Sequence, residues 1–146
     1  MKHTLPLLTL IVLLCACRPS GSGTPAGYIN HFGSHSSPSG AMTVEVTRRE
    51  KSLVDFAVVD TATSKNIVTD YIGSDAMRWF LWWETPSRLW GYGSDIGYFK
   101  VFDFASGRAS TSAVTESMPV PQFVWDRLPT TLQRRYRVAP TASPKN

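Results

Sequence analysis

Arg78-Trp79-Phe80-Leu81-Trp82-Trp83-Glu84, Arg88-Leu89-Trp90-Gly91-Tyr92-Gly93 and Tyr98-Phe99-Lys100-Val101-Phe102-Asp103-Phe104 are three short runs of aromatic and branched residues. Thr85-Pro86-Ser87 separates the first two and Ser94-Asp95-Ile96-Gly97 the last two. Such residues fit a pleated, half-buried surface, while Pro and Gly punctuate it, so the stretch predicts a three-stranded antiparallel meander. Period two puts Trp79, Leu81 and Trp83 on one face of their strand and Phe80 and Trp82 on the other. Both faces are apolar, which predicts a cover on one side and at least a partial one on the other. Glu84 and Arg88 flank the first turn with opposite charges, a cross-strand pair contributing a few tenths of a kcal/mol.

Upstream, Thr43-Val44-Glu45-Val46-Thr47-Arg48 and Val54-Asp55-Phe56-Ala57-Val58 alternate with period two around the polar Arg49-Glu50-Lys51-Ser52, as a hairpin does. Val44, Val46, Val54, Phe56 and Val58 share its inward face, and a weaker strand is expected over 67–72. Downstream the spacing changes. Val124, Leu128, Leu132 and Tyr136 fall four apart, a helical period that Pro129 interrupts, so two short helices are expected, the second beginning at Pro129. The fold class read from these patterns is α+β: an antiparallel sheet of about five strands, hairpin plus meander, with one or two short C-terminal helices on one face. A small closed β-barrel is its main rival.

The amino terminus carries a different kind of signal. Lys2 and His3 precede an apolar segment over 5–14, long enough for a signal-peptide core and well short of a membrane span. It ends in Leu14-Cys15-Ala16-Cys17, which resembles the signal of bacterial lipoproteins. The resemblance implies a diacylglyceryl group on the Cys17 thiol, cleavage before it and acylation of the new amino terminus. Several acyl chains on one residue give a stable anchor, each buried methylene adding about 0.8 kcal/mol. Arg18 in place of an Asp implies, by resemblance to enterobacterial sorting, the outer membrane of an organism that has two. An ordinary secretory signal cut after Ala16 is the competing reading.

The domain expectations follow: a removed signal over 1–16, an anchor and Gly/Ser/Pro-rich tether over 17–40, one globular domain over 41–138 and a frayed tail over 139–146. The domain holds twelve of the fifteen Lys and Arg and all eleven Asp and Glu, so most of the net charge of +4 lies outside it. That balance gives no reason to expect a nucleic-acid partner. Once Cys15 leaves and Cys17 is lipidated, no thiol remains for a disulfide, a zinc site or a nucleophile. His31 and His35 precede the first expected strand and read as linker residues, and no cofactor is implied.

The candidate sites are few. Trp82, Trp90, Tyr92 and Tyr98 are the candidate partner-binding residues, because flat aromatic faces bind a glycan or an apolar protein surface with little entropy cost. The competing reading is that a small domain without disulfides fills its core with large rings. Glu84, Asp95 and Asp103 lie in or beside the meander and are the candidate acid/base pair of an alternative reading, a carboxylate-dependent hydrolase of envelope glycans. Residues 88–97 also resemble the inner strands of a β-propeller blade, but no second copy recurs at a blade-length period. The leading expectation is thus a lipid-anchored cell-envelope protein, held to the membrane through Cys17. Its small non-catalytic domain would bind an envelope protein or glycan.

Overall fold

A computed structural model describes residues 25–105 and 108–139. Strand dominates, at about 52% against 9% helix. The elements in chain order are β1 (Tyr28–Ile29), β2 (Gly33–Ser36), β3 (Met42–Arg49), β4 (Leu53–Asp60), β5 (Asn66–Ser74), β6 (Trp79–Thr85), β7 (Arg88–Gly93), β8 (Tyr98–Asp103), β9 (Ser110–Ala113), β10 (Pro119–Val120), α1 (Gln122–Trp125), α2 (Thr130–Gln133) and β11 (Arg137–Val138). The hairpin and the meander form as expected, but in different sheets. β2-β3-β4-β5 is one antiparallel sheet and β1-β6-β7-β8-β9 the other, with a short parallel pair β10-β11 besides.

The two larger sheets face each other because each supplies one apolar face to a shared core. Val44, Val46, Val54, Phe56 and Val58, all buried, meet Leu81, Trp83, Leu89 and Phe102 from the second sheet. Phe56 and Phe102 touch edge to face across it at 5.5 Å. The expected α+β class with a five-stranded antiparallel sheet and two short helices is compatible with this strand-dominated fold; what differs is that the hairpin belongs to a second, facing sheet instead of extending the meander. Hydrophobic alternation fixes which side of a strand is buried, and is silent about whether two amphipathic hairpins pair edge to edge or pack face to face.

The outer face of the five-stranded sheet is covered too. Phe80, Trp90, Tyr92 and Phe99 form a second core with Val114, Val120, Val124 and Leu128, and Phe123, Leu132 and Tyr136 pack against it. The C-terminal helices thus lie on the Phe80 and Trp82 side, while the first sheet covers the Trp79 and Trp83 side. Pro121 and Pro129 stand at the N-cap positions of α1 and α2 rather than inside them, where a missing N–H costs nothing.

The tether expected over 17–40 is shorter than its composition implies. Ile29 is buried in the first core and pairs with Leu81, while Gly33–Ser36 pairs with β3, so the packed body begins upstream of Ala41. His31 and His35 accordingly belong to that body, their rings edge to face at 4.5 Å, instead of being linker residues. Strand pairing through the backbone tolerates the polar sequence Gly33-Ser34-His35-Ser36, which carries no apolar alternation. The expected signal and lipidation cysteine lie outside the described residues, as does the tail expected over 139–146 apart from Ala139, whose N–H donates to the Val120 carbonyl at 2.8 Å.

Two glycines bring the sheets together at one end. Gly91 and Gly93 share the inner face of β7, opposite Lys100 and Tyr98 of β8. A Cβ on Gly91 would lie 2.9 Å from the Tyr98 ring, and one on Gly93 only 1.7 Å from the Ile72 carbonyl oxygen. The backbone of β5 crosses β7 at a distance that no larger residue permits.

Candidate functional site

Of the four aromatic candidates, three are core. Trp90, Tyr92 and Tyr98 are 3%, 2% and 5% exposed, which removes their faces from any partner. Trp90 and Tyr92 lie in the second core, and the Trp90 indole Nε1 donates to the Glu84 carboxylate at 2.8 Å. Tyr98 faces the first core, and its hydroxyl donates to Asp70 at 3.2 Å. Burial, then the Asp70 charge and its hydrogen bond, push that phenol far above its usual range and keep it a donor. Trp82 alone is half-buried, its ring 4.8 Å from that of Phe123. The platform of four exposed aromatics is therefore corrected: filling two cores takes the rings that a binding face would need.

The carboxylates do not converge either. Glu84 and Asp103 stand at one end of the meander and Asp95 at the other, in the β7–β8 turn. Asp95 accepts the Ser74 N–H at 2.8 Å and lies against the Cα of Gly73, whose φ of 131° excludes most side chains. It joins the β5–β6 and β7–β8 loops, so the repeated Gly-Ser-Asp phrases of the sequence meet in space. Arg88 donates to Asp103 at 2.9 Å and lies 3.9 Å from Glu84, so the expected Glu84–Arg88 pair is the weaker of its two contacts.

The backbone N–H of Ala105 and then the Arg88 guanidinium hold the Asp103 carboxyl below its ordinary value of 3.8. A depressed carboxyl contributes stability that is complete above its unfolded value and disappears as the pH falls through its folded one. Asp103→Asn is therefore expected to lower stability at neutral pH, to approach the parent in acid and so to flatten the pH dependence of unfolding below pH 3.8. Urea titrations at a series of acidic pH values measure it; an unaltered slope would mean that Asp103 gains nothing from Ala105 and Arg88. A carboxyl so disposed is ionised, hydrogen-bonded and unsuited to act as a general acid.

A second polar cluster ties the sheets along one edge. Asp70 of β5 accepts from Lys100 Nζ at 2.7 Å as well as from Tyr98, both on β8. Among the described residues no group of three or more His, Cys, Asp and Glu is disposed to hold a metal ion.

A concavity lies where the start of β6 meets β1 and the end of α1. It is an open groove of about 670 Å³, bordered by Tyr28, Asn30, Asp75, Arg78, Trp79 and Arg127. Arg78 donates to the Arg127 carbonyl at 3.2 Å, and the Arg127 guanidinium stacks on the Phe123 ring at 3.4 Å. Neither guanidinium has a carboxylate within 4.0 Å among the described residues, whereas Asp75 is paired with Arg48 at 2.6 Å. Two stacked or backbone-braced arginines outside any ion pair can offer their N–H groups to an anionic oxygen, although Asp75 and Asp126 line the same groove. No pattern in the sequence links them: they are 49 residues apart, one in a turn and one beyond a four-residue helix.

No protein-family model matches the chain, and neither a characterised protein nor a solved structure matches it.

Proposed function

We propose that this chain is a lipid-anchored cell-envelope protein, attached through Cys17, whose folded body is a non-catalytic interaction domain. The observation that carries the reading is Leu14-Cys15-Ala16-Cys17 placed directly after an apolar segment of signal-peptide length. Seven residues, 18–24, lie between Cys17 and Pro25, and Tyr28 already pairs with β6. A non-catalytic body is supported by the occupation of its acidic side chains: Glu84, Asp95 and Asp103 each hold a structural partner, Glu84 and Asp103 sharing Arg88. Half-buried Trp82 is the remaining aromatic candidate for contact with an envelope protein or glycan. Arg18 favours the outer membrane where the organism has two.

Cys17→Ser tests the anchor. In cells fed labelled palmitate, the variant is expected to incorporate none and to keep its signal, because processing follows modification of the thiol. The body is expected to melt as in the parent chain. Palmitate incorporation into the variant would refute the assignment.

A further inference from the structure

We infer that one end of the sandwich is a bilayer-contacting face, so that the body lies against the membrane instead of standing clear of it. The inference rests on the anchor reading above and adds a second point of attachment. Four large apolar side chains are exposed among the described residues: Phe32, Tyr71, Met77 and Ile96. All four belong to the same end. Phe32 leaves β1 and packs on Trp79 at the start of β6, and Met77 sits in the loop just before it. Ile96 lies in the β7–β8 turn, which Asp95 and the Ser94 N–H fasten to that loop. Tyr71 is three residues from the end of β5. The opposite end, with the turns at 61–65 and 86–87, exposes no large apolar residue among those described.

Arginines are interleaved with these side chains. Arg48 lies over the Phe32 ring at 5.0 Å, Arg49 over Tyr71 at 5.9 Å, and Arg78 and Arg127 border the adjoining groove. The nearby Asp75 and Asp55 are paired with Arg48 and Arg49, and Asp95 holds a backbone N–H. Separate apolar tips between guanidiniums suit a headgroup layer, where the tips enter the acyl boundary and the cations meet lipid phosphates. A protein partner would favour a continuous apolar patch, which this end does not present.

The tether reaches. Gly27 sits beside Trp83, and the four residues back to Trp79 cover about 13 Å of strand. The eight Cα–Cα steps from Cys17 to Pro25 span at most about 29 Å if extended and would average about 16 Å for a flexible chain. A linker whose mean length matches the distance to be spanned gives its second contact the highest effective concentration.

Single-thiol variants of the full, lipidated chain test this in vesicles. Met77→Cys and Ile96→Cys mark the face and Ala62→Cys the opposite end; each carries a polarity-sensitive fluorophore, read with and without brominated acyl chains. Bromolipid is expected to quench labels 77 and 96 about twofold and label 62 hardly at all. Quenching in neutral zwitterionic vesicles would assign the contact to the phosphates that all these lipids share. Quenching confined to anionic vesicles would support the face with net lipid charge as the attraction. The proposal is overturned by labels 77 and 96 that stay as unquenched as label 62. It is overturned equally by labels that shift to the blue without quenching and in proportion to protein concentration, the mark of a second copy or a protein covering the face. The unsubstituted chain separates the two readings: a lipidated Cys17 takes no fluorophore, whereas labelling there means that the anchor itself is absent.

Discussion

Truncating either Trp83 or Trp90 to alanine is expected to cost about 3–5 kcal/mol, much of the stability of a domain this size. The two rings point to opposite faces of the same sheet. Trp83, 2% exposed, fills the space between the sheets, and Trp90, 3% exposed, fills the space beneath the C-terminal segment and also gives Glu84 its indole N–H. The apolar character of both faces predicted a cover on one side and at least a partial one on the other, and the two cores supply both. Trp83→Phe is expected to be much milder, because the indole Nε1 of Trp83 is buried without a hydrogen-bond partner and its loss relieves an unmet donor. Urea unfolding followed by circular dichroism reads all three. A Trp90→Ala protein as stable as the parent would show that the C-terminal helices contribute no core.

Gly93→Ala is expected to be at least as severe as many large-to-small core changes, about 3 kcal/mol or more, although it adds a single methyl. That methyl would have to occupy a point 1.7 Å from the carbonyl oxygen of Ile72, a backbone atom that cannot swing aside. Gly97→Ala is the control. Gly97 has a φ of 64° but open space around its Cα, so alanine there carries only the left-handed penalty of about 1–2 kcal/mol. Similar effects of the two substitutions would mean that β5 and β7 do not approach as closely as described.

The sequence made most of this chain's strands legible and left their assembly obscure. Val44, Val46, Val54, Phe56 and Val58 announce their buried face by alternation, and all five are buried. Val124, Leu128, Leu132 and Tyr136 announce the helical segment, and Pro129 its division. The Gly91 and Gly93 pair, on one face of a strand otherwise made of Leu, Trp and Tyr, held a signal of close backbone approach that reads equally well as ordinary turn punctuation. Gly33-Ser34-His35-Ser36 offered nothing, since an edge strand joined by backbone hydrogen bonds needs no apolar face. The binding candidates failed for a related reason. Trp, Tyr and Phe are the residues of both small cores and binding faces, and composition does not divide them; what covers each ring is decided by the long-range packing of β3–β5 on one side and of residues 114–136 on the other. The arginine groove was illegible because its parts come from three separate segments.

The anchor, by contrast, was read entirely from local sequence, and it is the claim on which the biological placement of the domain depends. Mass spectrometry of the amino-terminal peptide from membrane-extracted protein tests it most directly. The expected peptide begins at Cys17 and carries the added mass of a diacylglyceryl group and an amide-linked acyl chain. A mature terminus at Cys17 with a free thiol, or a chain that retains residues 1–16, would contradict it.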